Sequence, residues 1–251
     1  MDDQLYTRFE AIGDSHWWFE GRRQIVEAVL EEVLGPVGPD PRRTVLDLGC
    51  GTGTMLAMLG RFGTVTGLEM SADAVAVSRA AHPGVDVHVG ILPDGLAPGS
   101  RFDLVGAFDV VEHIEDDRAA VTHIHDTVEP GGLFVSTVPA FPVLWGHEDV
   151  LSHHFRRYRR KSYRSLLEAA GFEVEHLSYF NTWLFPAAAT VRIGRRLVGG
   201  GGGDAPRSDL GFTSPRLDRA LTSLFASERH LVRKHALPFG VSLLAVARRR
   251  A

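Results

Sequence analysis

Lysine and cysteine are nearly missing from this chain of 251 residues. Only Lys161 and Lys234 are lysines among 27 basic residues, the rest being arginine, and 31 acidic residues bring the formal net charge to −4. A balance on the acidic side gives no general attraction to nucleic acid, although unevenly spread arginines keep local anion sites open. The single cysteine, Cys50, excludes an intramolecular disulfide and a cysteine-built zinc site, and it points to no redox chemistry. No stretch approaches the ~20 uncharged apolar residues of a membrane-spanning helix, and the first residues are polar and acidic, without an apolar signal core. The expectation is a cytoplasmic chain with no transmembrane segment and no nucleic-acid partner. What the chain does have is 44% hydrophobic residues, enough for a large core in one domain or in one domain with a cap.

That core is organised around Thr44-Val45-Leu46-Asp47-Leu48-Gly49-Cys50-Gly51-Thr52-Gly53. An apolar run that stops in glycines and leads into the helix-compatible Met55–Leu59 predicts a buried strand, a tight turn and a helix. Glycine suits the turn because it takes backbone angles other residues resist and leaves main-chain N–H groups open to a ligand. A dinucleotide fingerprint reads G-x-G-x-x-G, whereas here Thr54 stands where the third glycine would fall, so the match to NAD is poor. Charge agrees: Asp47, two residues ahead of Gly49, would repel a pyrophosphate but suits the ammonium and sulfonium of S-adenosylmethionine. The next predicted strand, Thr64 to Leu68, runs into Glu69, twenty residues after Gly49, the offset at which a carboxylate accepts two ribose hydroxyls.

Taken together, VLDLGCGTG followed by GLEM resembles the class I S-adenosylmethionine-dependent methyltransferases. The resemblance implies an α/β, Rossmann-like fold with a seven-stranded, mostly parallel sheet whose last strand is antiparallel. It also implies S-adenosyl-L-methionine as cofactor, with Asp47, Gly49, Cys50 and Gly51 at its methionine part and Glu69, with Met70 beside it, at the ribose. Segment DVVEHIEDD, from Asp109 to Asp117, is similar to the stretch that borders cofactor and substrate in that superfamily, which puts Asp109 at the cofactor and His113 at the acceptor. His113 can equally satisfy backbone groups in such a turn. Glu115 to Asp117 read as acids at a helix N-terminus. The superfamily's acid after the third strand is replaced by Gly90-Ile91-Leu92-Pro93, leaving backbone groups or Asp94 for adenine. At the start of the chain, His16-Trp17-Trp18-Phe19 with Arg22-Arg23 resembles a large bacterial subgroup of these enzymes.

Periodicity places the remaining elements. Residues 1–43 form an N-terminal helical extension whose apolar positions Ile25, Val26, Val29, Leu30, Val33 and Leu34 recur at helical spacing; its entrance brings an arginine, Arg23, toward the methionine carboxylate. The cofactor domain takes 44–180 and 239–251, with a helix over Ala72–Ala81 and strands over Val85–Val89, Phe102–Val110, Leu133–Val138, Phe172–Tyr179 and Val241–Ala247. Residues 181–238 form an inserted helical cap, far longer than an ordinary connection of ~2–6 residues, with a flexible loop at Gly199–Gly203.

Chemistry concentrates after the fifth strand, where Trp145, His147, Glu148, Asp149, His153, His154, Arg156, Arg157 and Tyr158 crowd together. Such a loop beyond a strand end is where an acceptor binds. His153 and His154 are the candidate bases, with His147 in reserve, Tyr158 and Arg157 orient the acceptor, and Trp145 and His147 line its site. His147, Glu148, Asp149 and His153 match no metal-ligand spacing, so no metal is assigned. The leading function is methyl transfer to the oxygen, nitrogen or carbon of a small-molecule or lipid-like acceptor, amphipathic or anionic, by a monomer or homodimer that can touch a membrane peripherally. The alternatives keep the cofactor, either for cyclisation or rearrangement without methyl transfer or in a non-catalytic partner subunit.

Overall fold

A computed structural model describes residues 16–35, 40, 42–197 and 214–251 of the protein. Helix α1 (Trp17–Leu34) precedes β1 (Thr44–Leu48), α2 (Leu56–Leu59), β2 (Thr64–Glu69), α3 (Ala72–Ala81) and β3 (Asp86–Val89). Strand β4 (Phe102–Phe108), a 3-10 turn at Val111–His113, α4 (Asp117–Thr127) and β5 (Val128–Pro139) follow. The chain continues through α5 (His147–Leu151), α6 (Arg160–Ala169), β6 (Phe172–Phe180), α7 (Phe185–Leu197), α8 (Pro215–Ser227), α9 (Arg229–Val232) and β7 (Ser242–Arg249). The Gly199–Gly203 segment lies outside the described residues. Among those described, no helix is long and apolar enough to cross a membrane.

The seven strands lie in the order β3-β2-β1-β4-β5-β7-β6. β1 to β5 are parallel, and β7 runs antiparallel between β5 and β6, so the antiparallel last strand is where the sequence pattern puts it. Strand order reverses between β1 and β4, which sets the turn after β1 beside the turn after β4 at the sheet's carboxyl edge, the place where open α/β sheets bind ligands.

Alternation along the strands divides the core in two. Val45, Leu133, Val135, Leu244 and Val246 face one layer, while Leu46, Phe134, Leu243 and Ala245 face the other. The second layer is α4 and α6, through Val121, Ile124, Tyr163 and Leu167. The first layer joins the N-terminal helix to the helices between β6 and β7: Ile25, Val26, Val29 and Leu30 of α1 share one core with Phe225 of α8 and Val232 of α9. Trp18, Phe180 and Phe225 form a three-ring cluster, each ring packed on the other two at centroid distances of 5.3 Å (Trp18–Phe225), 6.0 Å (Phe180–Phe225) and 6.4 Å (Trp18–Phe180). Gly21 makes this approach possible, since a Cβ there would fall 2.3 Å from the Phe225 ring. Arg229 donates to Gln24 Oε1 at 2.9 Å, and Glu228 Oε1 accepts from Trp183 N at 2.8 Å, tying the segment between β6 and β7 to α1 and its end to its beginning.

Candidate active site

The first wall is the glycine turn. Gly49, Gly51 and Gly53 all take positive φ, at 65°, 55° and 96°. A Cβ on Gly49 would meet Val110 at 2.7 Å, whereas one on Gly51 would project into open space, so Gly51 bares its backbone toward the cavity. Glu69, at the end of β2, is fastened beneath it: Oε2 accepts from Gly51 N at 3.0 Å and Oε1 from Ser71 N at 2.9 Å. Both oxygens keep acceptor capacity for hydroxyl groups. Asp47 is 1% exposed, and neither of its oxygens has a hydrogen-bond partner among the described residues. Burial pushes its carboxyl up to about 8, the Arg22 charge opposing and Glu69 adding. Cys50 is buried too, and desolvation, with Asp47 and Glu69 nearby, drives its thiol upward, which makes it a packing residue and not a nucleophile.

The second wall comes from α1 and the end of β4. Asp109 ends the strand two residues earlier than the apolar run suggests because it turns into left-handed φ, at 58°. Arg22 pairs with its Oδ2, and Thr137 Oγ1 donates to its Oδ1 at 3.2 Å. Glu112 follows, fully buried, with neither oxygen hydrogen-bonded among the described residues. Burial first, then the Asp109 charge, raises its carboxyl well above the ordinary range. Burial and the neighbouring His154 ring, 4.6 Å away between centroids, lower His113 to about 4 and keep it neutral near pH 7.

The third wall is built on Asp149. Its side chain is wholly buried, accepting from Gly146 N at 2.7 Å and Arg157 Nε at 2.7 Å and pairing with His154 Nδ1 at 2.9 Å. Burial works against its charge, but the His154 hydrogen bond and the Arg157 guanidinium prevail and push it down to about 2. With Nδ1 engaged, Nε2 of His154 is the nitrogen left for chemistry. The fourth wall is apolar, made by Leu184 just before α7, Ala187, Ala188 and Val191 of α7, Leu221 of α8, and Trp17 and Trp18. The walls enclose about 530 Å³, within the ordinary range of small-molecule sites.

A family described as a methyltransferase domain matches residues 18–177, more than half of the chain. The chain belongs to this methyltransferase domain family. A Mycolicibacterium smegmatis protein named as a candidate S-adenosylmethionine-dependent methyltransferase is 31% identical over 65% of this chain and 62% of its own length. A Methylobacterium protein named ubiquinone biosynthesis O-methyltransferase is 40% identical over 53% of this chain and 62% of its own length. The chain therefore spans about 62% of each of these curated relatives. The fold is shared with a chain of the complex between a Haloferax volcanii methyltransferase and its activator, at 19% identity and a TM-score of 0.60, covering 98% of this chain and 95% of that one.

Within this methyltransferase domain, Asp47, Gly49, Cys50, Gly51, Glu69, Asp109, His113, His154 and Arg157 meet at the cavity. Six other expected residues do not. Met70 is 67% exposed, and Trp145, His147 and His153 are also exposed and off the cavity wall. Arg23 turns to Glu20 and the Thr54 carbonyl, and it is its neighbour Arg22 that lines the cavity. Tyr158 is a core residue: its hydroxyl donates to Asp117 Oδ2 at 2.8 Å and its ring packs on Tyr163. Asp149 is spent on His154, Arg157 and Gly146, which removes it from any metal set with His147 and His153. Asp116 does cap α4, accepting from Ala119 N at 2.9 Å. Glu112 has no role in the sequence reading, Asp149 is weighed there only as a metal ligand, and Arg22 is named beside Arg23 but not chosen. Arg22 was findable, because it shares the helical face of Ile25, Val26 and Val29.

Proposed function

We propose that this methyltransferase-domain protein is an S-adenosyl-L-methionine-dependent methyltransferase acting on a hydroxyl-bearing small-molecule or lipid-like acceptor. The observation that carries the reading is the orphaned Asp47 carboxylate in a cavity that it lines together with Gly51, where a Cβ would meet nothing. A buried acid without partners is costly unless a cation meets it, and the methionine ammonium and the sulfonium are such cations. Glu69 would take the ribose hydroxyls, and Arg22, on the second wall, would face the methionine end. The group supplies, when bound, a methyl on a sulfonium that is already a good leaving group.

The chain then has to align the acceptor, exclude water and take a proton. Asp149 holds His154 in one tautomer, and Nε2 of His154 is the group that receives the acceptor's proton. The α7 wall and Leu221 supply the apolar contact, so the insertion at 181–238 sets acceptor specificity. An apolar wall over a histidine floor suits an acceptor with a hydroxyl head and a greasy body. The Methylobacterium relative's name, an O-methyltransferase of ubiquinone biosynthesis, supports that class. The His16–Phe19 and Arg22-Arg23 segment is read as the mark of a bacterial subgroup within the family.

Titration calorimetry with S-adenosylhomocysteine tests the cofactor assignment. Glu69→Ala should weaken binding by a factor of about thirty or more, roughly 2 kcal/mol for two lost hydrogen bonds to a charged group. Equal affinity in parent and variant, with NADH binding to both, would overturn it. Formation of S-adenosylhomocysteine with a panel of hydroxylated aromatic acceptors then separates transfer from rearrangement.

A further inference from the structure

The cavity floor holds one more buried acid than its partners account for. Asp109 is paired with Arg22 and Asp149 with Arg157, while Asp47 and Glu69 are assigned to the cofactor. Glu112 is left over, 0% exposed, with both oxygens bare of hydrogen bonds among the described residues. Two imidazoles face it, with the Arg157 and Arg22 charges also acting on it: the ligand-capable atoms of Glu112, His113 and His154 all lie within 4.8 Å of one another. A proton on Glu112 would quench its charge but leave its oxygens without partners. A cation between the three would satisfy the carboxylate and both rings together.

We propose that Glu112, His113 and His154 form a divalent-cation site at the acceptor side of the cavity. Two nitrogens and one carboxylate oxygen suit a first-row ion such as zinc, manganese or ferrous iron better than calcium or magnesium. Bonds of about 2.0–2.2 Å put neighbouring ligand atoms roughly 3–3.5 Å apart, so side-chain torsions need to draw the three together by little more than an ångström. The surroundings already brace them. Glu112 and His113 share one 3-10 turn, and Phe155 N donates to the Glu112 carbonyl at 2.8 Å, holding the His154 segment against it. Asp149 engages Nδ1 of His154 at 2.9 Å, the carboxylate support that metal-bound imidazoles usually have, and leaves Nε2 for the ion. Three protein ligands leave a position open toward the cavity. On the methyl-transfer reading, an acceptor oxygen would fill it and, bound to the ion, would release its proton to water at lower pH; Nε2 of His154 is then a ligand, and the base role given to it above belongs to the ion-free site.

The test is a cobalt(II) titration of chelator-treated protein, followed by visible absorption, with S-adenosylhomocysteine affinity measured on the same samples. One equivalent should bind saturably at micromolar or tighter Kd. Glu112→Gln and His113→Ala should each weaken it at least tenfold, and His113→Ala should keep S-adenosylhomocysteine affinity within about twofold, which shows that it is folded. Absence of a saturable cobalt spectrum, or an unchanged Kd in a folded His113→Ala, overturns the site. Failure of the parent to bind S-adenosylhomocysteine would overturn the cofactor reading and leave the cobalt result standing by itself.

Discussion

Asp47 sets a charge conflict inside the ligand-free protein. Its unfolded carboxyl loses its proton near pH 4, but the folded one holds it to about 8. Between those values the folded state binds the extra proton, so this group makes stability fall as pH rises through the window, by up to about 1.4 kcal/mol per pH unit. This is opposite in sign to Asp149, whose lowered carboxyl contributes stability above about pH 4 that is lost as pH falls toward 2. Asp47→Asn removes the conflict. Its melting temperature without ligand should exceed the parent's by a margin that widens from pH 5 to 8, to several degrees, while affinity for S-adenosylhomocysteine falls. A margin that is flat with pH would mean that Asp47 is ionised in the folded protein. At this scale the sequence was legible where identity decides chemistry, as at Asp47, Gly51 and Glu69. It was not legible where direction decides. Arg22 and Arg23 are neighbours in sequence but about 100° apart around a helix, and His153 differs from His154 in taking left-handed φ, at 54°, with its side chain exposed. Tyr158 belongs to a polar cluster in the sequence and to the core in the fold, because Asp117, 41 residues away, receives its hydroxyl.

Among the elements, the one contact that no periodicity could announce is the stack of Phe225 on Trp18 and Phe180. Helix α1 was readable from its apolar spacing and the 181–238 segment as helical, but the pairing of Trp18 with Phe225 spans some 200 residues of chain. Only the sheet, which brings β6 and β7 together at one end, makes them neighbours. Phe225→Ala should cost about 3–5 kcal/mol, the range for emptying a fully buried aromatic site. The converse change is instructive in sign. Gly21→Ala gains about 1 kcal/mol of helix propensity yet places a methyl 2.3 Å from a ring that is itself packed against two others. Overpacking of that kind costs about 1–3 kcal/mol, so the variant should be less stable than the parent in urea denaturation. A stabilised Gly21→Ala would show that Phe225 has room to move.

For the whole molecule, the sheet puts its ligand turns at the carboxyl edge, and that edge is also where backbone strain collects: Asp109, Phe141 and Asn181, each just beyond a strand, all have positive φ. Such residues cost on the order of 1 kcal/mol apiece and persist where the surroundings hold them for a purpose. The first-face layer spans that edge. Helix α1 brings Arg22, Trp17 and Trp18 to the cavity, and the same helix grips α8 through Phe225. Residues in one cooperative layer open together, so hydrogen exchange of Trp17–Leu34 and Pro215–Val232 should report one shared opening free energy. Saturating S-adenosylhomocysteine at a hundred times its Kd should raise both by about 2.7 kcal/mol if opening releases the ligand. Although α8 offers the cavity only Leu221, it should gain as much as α1, because its protection is inherited through the aromatic stack. Protection rising in α1 while α8 stays unchanged would separate the two helices and end the single-layer account. The same increment in both, lost together in Phe225→Ala, is the expected result.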